Sequence, residues 1–429
     1  MKKQNMFDSL VNLVQTSFNK VKDYRISPDY TMTDALMSGF AMFSLKDPSL
    51  LSFIENYPTR KENLEQVYKI ADVPSEQGLR KILDPINPDQ LLPTFKSIYE
   101  DEKVAEVVND YKCFSSLGGY TAIAVDGTGY FCSNTIKCPH CMVRKLKSGP
   151  QYYHQLAGAC IVNPNKKTVF PVFAEPITKQ DGSTKNDCEY NAVKRLVPKI
   201  TQVLPNARHL LLLDGLFATG PAIRLILFYS MDFISVIKDG YVLVQAKALA
   251  EKGQLKTKTW YKNKYTKCTA KWANRLILNG ANQDLKVDYV EYEQVDIRTG
   301  KVIYAGKWIT SLNVEDSMIV EFVHVARTRW KIENETFNVL KNQGYNLEHN
   351  YGHGKQFLSS LFATLMLLAF LVDQLTQTLD KAFQKALIAA KTLRDFRQKV
   401  RVLFDLIPCI SMNLIYQIIA RDLKIGLSP

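Results

Sequence analysis

The chain of 429 residues has no unbroken apolar stretch of the roughly 20 residues that a membrane span needs. The nearest approach, Phe357 to Val372, is interrupted by Ser359, Ser360 and Thr364 and closed by Asp373, which predicts a buried helix and no membrane partner. The basic pair Lys2-Lys3 is not followed by an apolar core, so no secretory leader is expected and the expected location is the cytosol. There the eight cysteines are expected as reduced thiols or metal ligands, not disulfides. No internal repeat or low-complexity tract appears, which excludes a solenoid. Acidic residues are in the minority, 42 against 55 Lys and Arg, for a formal charge of +13 and a pI near 9.1. So basic a balance implies a polyanionic partner, most simply nucleic acid. The length exceeds one ordinary core, and two or three domains are expected.

The expected fold class is α/β. Residues 1–112 show helical patterns over 32–43, 49–57, 61–71, 75–83 and 89–108, with no strand. Helices 61–71 and 75–83, the second starting at Ser75 and carrying Arg80 and Lys81, fit a DNA-binding helix-turn-helix or an ordinary helical hairpin. From Tyr120 the texture changes to strands over 120–125, 156–162 and 168–174. A helix over 188–203, a strand over 210–213, a helix over 221–229 and a strand over 233–237 follow. This element order resembles a ribonuclease-H-like domain. Short strands are expected at 241–245, 285–292 and 302–308, then a long helix from about 316–320 to 343, then apolar helices over 357–379, 381–400 and 413–423. The expected organisation is a helical DNA-binding domain over 1–112, the first part of the core over 113–238, a β-rich insertion over 239–312, the remainder of the core over 313–350, and C-terminal helices over 351–429.

Three acids stand at informative places. Asp126 closes an apolar strand and precedes Gly127-Thr128, and Asp214 closes the four leucines 210–213. A carboxylate at the end of a fully buried strand is costly unless it emerges at an edge or meets a cation. Glu333 lies four residues after Arg329, on one helical face, with Trp330, Phe337 and Leu340 marking the side expected to pack. Singly, each acid reads more simply as a turn, a cap or a solvated ion pair. Together, two strand-end aspartates and a helical glutamate can surround divalent ions for phosphoryl transfer.

On Asp126-Gly127-Thr128, Leu213-Asp214-Gly215 and Arg329-Trp330-Lys331-Ile332-Glu333 with Phe337 and Leu340-Lys341, the chain resembles the DDE transposases of bacterial insertion sequences, in the group whose core carries a β-strand insertion. The resemblance implies Asp126, Asp214 and Glu333 as catalytic ligands of two Mg²⁺ ions, replaceable by Mn²⁺, with Arg329 and Lys341 on DNA phosphates. It also implies cleavage and joining of double-stranded DNA at transposon ends and target, a homodimer on DNA, and a bacterial, nucleoid-associated location. The competing reading is a non-catalytic or domesticated DNA-binding protein or nuclease derived from such an enzyme. Two positions depart from the group's pattern: Ala326 stands where a tyrosine belongs, and Lys341 comes one residue late. In a regular helix of about 100° per residue that delay swings Lys341 off the Glu333 face unless a bulge absorbs it. Glu335 is the rival third carboxylate, about 160° from Arg329 at helical spacing.

The segment 252–275 mixes basic and aromatic residues most densely. Lys262 and Lys264 are candidates for phosphate contact, and Trp260 and Trp272 for stacking on an unpaired base. Cys138-Pro139-His140-Cys141 has the spacing of a zinc knuckle, which Cys132, His140 or His154 could complete. His349 and His353 follow the glutamate helix in a glycine-bearing turn.

Overall fold

The computed structural model describes residues 5–179 and 187–421. At its centre is a ten-stranded mixed sheet: β1 (Thr121–Ser133), β2 (Met142–Leu146), β3 (Gly149–Ile161), β4 (Phe170–Ile177), β5 (His209–Leu213), β6 (Asp232–Val236), β7 (Lys256–Asn263), β8 (Thr266–Asn279), β9 (Asn282–Asp296) and β10 (Val302–Thr310). The order is β2-β3-β1-β5-β6-β10-β9-β8-β7, with β4 on the flank of β3. β1, β3 and β4 are antiparallel neighbours, whereas β1, β5 and β6 run parallel. This is the ribonuclease-H-like order, and its central strands are buried, as parallel strands require. Helix α8 (Glu189–Val203) packs on β3 and β4, and α9 (Gly220–Phe228) makes the crossover from β5 to β6.

The insertion extends this sheet and is not a detached module. β10 pairs antiparallel with β6, Trp308 opposite Val236, and carries β9, β8 and β7 outward. One expected strand is absent: residues 241–245 open the helix α10 (Tyr241–Glu251). The β-branched start Tyr-Val-Leu-Val misleads, because Gln245 to Glu251 supply strong helix formers and Val242 and Ala246 bury one turn apart.

Seven helices precede the sheet: α1 (Met6–Phe18), α2 (Met32–Ser44), α3 (Leu50–Glu55), α4 (Tyr57–Tyr68), α5 (Glu76–Leu83), α6 (Leu92–Tyr99) and α7 (Glu102–Asn109). α1 is an addition to the sequence reading; Asn5 caps it and Phe7, Leu10, Val11, Val14 and Phe18 form its buried stripe. The expected helix over 89–108 is broken by a 3₁₀ turn at Pro88–Leu91 and by Asp101, which caps α7. After the sheet, α11 (Ile319–Arg327) leads through a 3₁₀ turn (Thr328–Trp330) and a π-helical segment (Ile332–Phe337) into α12 (Asn338–Asn342). The apolar helix α13 (Leu358–Leu379) is buried along most of its length, packed on α2 and β4. The helix expected over 381–400 divides into α14 (Lys381–Ala390) and α15 (Leu393–Leu406) at Lys391, whose φ is 66°. The last helix is α16 (Met412–Ile419); the end of the segment expected as helix to 423 lies outside the described residues.

The two ends of the chain share one helical body. Fully buried Arg60 of α4 bridges Asp47 at 2.7 Å and Asp405 of α15 at 2.8 Å, and Asn63 donates to the carbonyls of Phe404 and Ile407.

Candidate active site

In the parallel ladder Ala124 lies opposite Leu212. Two residues further along each strand comes an aspartate, so Asp126 and Asp214 emerge side by side. Asp126 does not end its strand as expected: β1 continues to Ser133 beside β3, with Asp126 opposite Gly158, and only the parallel partner stops. Asp214 ends β5 and caps the following 3₁₀ turn, accepting from the Leu216 N–H at 2.9 Å, while Ser235 Oγ donates to its carbonyl at 2.8 Å.

Arg329 reaches Asp126 from the 3₁₀ turn, Nη1 to Oδ2 at 2.7 Å. A fourth group joins them that the sequence reading missed. Glu189, the first residue of α8, lies against Gly127 so closely that a Cβ there would stand 2.5 Å from Glu189 Oε2. A side chain at 127 would therefore push the Glu189 carboxylate out of this position. Burial, then the charges of Asp126 and Asp214, push the Glu189 carboxyl up to about 7, against the pull of Arg329. Its Oε1 is buried without a hydrogen-bond partner among the described residues. The Asp126 carboxyl is likewise raised, by burial first and Asp214 in addition, with Arg329 opposing. Three half-buried carboxylates thus face one guanidinium, leaving a surplus of negative charge and an orphaned oxygen. Hard oxygen donors in that state suit a small divalent cation such as Mg²⁺ or Mn²⁺. The only sequence hint of Glu189 is its place at the start of a helix in an α/β order.

Glu333 stands exposed on the π-helical segment, one turn beyond Arg329. Glu335, the rival, lies near the buried Lys331, whose Nζ donates to the Asn163 carbonyl. Ile332 and Phe337 turn to the sheet, where Gly158 admits them. Trp330, expected to pack, is 44% exposed because the 3₁₀ turn rotates it outward. The π-helical segment holds one more residue per turn than an α-helix, which is the bulge that the late Lys341 demanded. Lys341 pairs with Glu348 at 2.9 Å.

On the sheet extension, β8 alternates over 266–272: Thr266, Cys268, Ala270 and Trp272 are buried while Lys267 and Lys271 are exposed. Trp272 is 2% exposed, which removes it as a base-stacking residue; its period-two place assigns it to the core. Lys262 and Lys264 are exposed. Trp260 stacks on Tyr292, with centroids 5.6 Å apart, and lines a groove of about 530 Å³ together with Lys262, His324, Arg327 and Trp330. Burial, then Arg327 and Lys262, hold the His324 imidazole below its usual range, a sign of a positive field in the groove. Cys138 and Cys141 lie in the turn before β2, near the far end of β1.

A ribonuclease-H-like sheet that sets aspartates from two neighbouring parallel strands side by side is an arrangement that can support metal-assisted phosphoryl transfer. The family model for the transposase DDE domain matches residues 118–371, more than half of the chain. The chain belongs to that family, a DDE transposase acting on DNA with divalent metal ions. Among curated proteins no match to the chain is found.

Proposed function

We propose that the protein cuts DNA strands at the ends of an insertion sequence and transfers them to target DNA. The observation that carries this reading is the meeting of Asp126, Asp214 and Glu189 beside Arg329, within β1 and just past the end of β5. Asp126, Asp214 and Glu333 are the proposed catalytic carboxylates, with Glu189 beside them, and they would hold two Mg²⁺ ions for which Mn²⁺ substitutes. When bound, such ions activate water or a 3′-hydroxyl and neutralise the leaving oxygen.

The remaining tasks fall to the chain's own groups. Arg329 uses one side of its guanidinium to fix Asp126 and keeps donors for a DNA phosphate. Glu189, whose carboxyl is raised in the metal-free site by burial and by Asp126 and Asp214, stands beside them as a further oxygen donor. The groove lined by Trp260 and Trp330 offers aromatic faces to an unpaired base, with Lys262 and Arg327 in the groove and exposed Lys264 outside it for the backbone. Lys341, which the extra residue of the π-helical segment would bring back toward the Glu333 face, would grip a further phosphate on release from Glu348. The helices of residues 1–112 would read the end sequence, and two chains would act together on paired ends in a bacterial nucleoid.

The test is strand nicking of duplex oligonucleotides carrying the terminal repeats that flank the reading frame. Mg²⁺-dependent nicking is expected from the unmutated protein, with a loss of about 10³-fold or more in Asp126→Ala and Asp214→Ala. End binding in the presence of chelator should persist. An unmutated protein that binds its ends and nicks with neither Mg²⁺ nor Mn²⁺ would overturn the reading.

A further inference from the structure

Away from the acidic centre, four soft ligands from three distant segments meet. Cys138 and Cys141 come from the turn before β2, His154 from β3, and His353 from the stretch between α12 and α13. Their ligand atoms all lie within 4.8 Å of one another. Cys138 Sγ and Cys141 Sγ are 3.7 Å apart, far beyond a disulfide bond, and His154 Nε2 stands 3.3 and 3.4 Å from them. A tetrahedral zinc ion, with Zn–S of about 2.3 Å and Zn–N of about 2.0–2.1 Å, sets S–S and S–N edges of about 3.8 and 3.6 Å. The cluster already has nearly these dimensions. The Cys138 N–H points at Cys141 Sγ, 3.3 Å away, as expected where a backbone amide supports a thiolate.

Hydrogen bonding within the protein does not account for the histidines. His154 is 2% exposed and packed between Tyr130 and Phe131. Its Nδ1 is shielded from water without a hydrogen-bond partner among the described residues, and the shielded ring nitrogens of His353 have the Cys138 thiol as their neighbour. Burying an imidazole nitrogen unpaired is costly. The other candidates point elsewhere: Cys132 is exposed beside Arg144, and His140 stacks on Phe357.

We propose that Cys138, Cys141, His154 and His353 form a structural zinc site. Two thiolates and two imidazoles make a closed set of four protein ligands that favours zinc over the hard cations suited to the acidic centre, and it leaves no position open for substrate. The ion ties the β1–β3 hairpin to the chain that leaves the Glu333 helix. It braces that helix's exit against the strand bearing Asp126.

The experiment is elemental analysis of the untagged full-length protein, produced with zinc in the medium and purified without chelators. We expect one zinc per chain, lost in the Cys138→Ser/Cys141→Ser double variant and kept in Cys132→Ser and His140→Ala. A zinc-free wild-type protein, or full zinc in the double variant, overturns the proposal. Should the double variant not fold, cobalt titration of chelator-stripped wild-type protein decides. Thiolate-to-cobalt absorption with intense tetrahedral visible bands supports the site, and weak octahedral bands alone refute it. Neither readout depends on DNA cleavage, so the zinc site and the transposase reading stand or fall separately.

Discussion

At the scale of single residues, the chemistry rests on carboxylates that oppose one another. Glu189 keeps its proton to higher pH in the folded protein than in the unfolded chain, where it ionises in the ordinary carboxylate range. The folded state then binds more protons than the unfolded state between that range and about 7, so metal-free stability falls as pH rises through this window. Glu189→Gln removes the repulsion. In chelator at pH 8 the variant should be more stable than the unmutated protein by on the order of 2 kcal/mol, after discounting for partial exposure, and the two should converge near pH 5. Thermal unfolding at both pH values measures this, and equal melting at pH 8 would remove Glu189 from the acidic cluster. Asp126, Asp214 and Arg329 could be found in the sequence because strand ends and a four-residue helical spacing are local patterns. Glu189 could not, since only the closure of α8 over Gly127 brings it in.

At the scale of elements, the π-helical segment Ile332–Phe337 reconciles an extra residue with a fixed packing face. Deleting the exposed Asn334 should let the segment relax to a regular helix, leaving Phe337 and Leu340 buried and the melting temperature little changed. Deleting His324 from regular α11 should rotate Phe322 and Val323 against Val325 and Ala326, at a cost of about 3 kcal/mol or more. Similar losses for both deletions would mean the extra residue is not absorbed where the π turn lies. The sequence carried this information only as a spacing anomaly at Lys341. It carried less about the sheet extension, where lysines dominate the composition and hide the alternation that buries Cys268, Ala270 and Trp272. At α10 a β-branched beginning outweighed the helix formers behind it.

At the scale of the molecule, α1–α5 and α13–α16 form a body that neither end of the chain can build alone, because Arg60, Asp47 and Asp405 complete one another across it. That union was invisible in the sequence, where Asp405 lies hundreds of residues from Arg60 and Asp47 and each reads as a surface charge. Arg60→Leu leaves Asp47 buried and unpaired and should cost about 3–5 kcal/mol in denaturant unfolding, while adding Asp47→Leu should restore a large part of it. No recovery in the double variant would show that Arg60 acts through packing alone. The same body holds α13 against β4, and so supports the sheet on which the acids stand.

Direct counting of bound Mn²⁺ by electron paramagnetic resonance, on protein bound to its end DNA, bears most closely on the acidic centre. Tight Mn²⁺ binding to the unmutated protein is expected, reduced at least tenfold in affinity by Asp126→Asn and by Asp214→Asn while His324→Asn leaves it unchanged. Equal Mn²⁺ affinity in all four proteins would contradict the account.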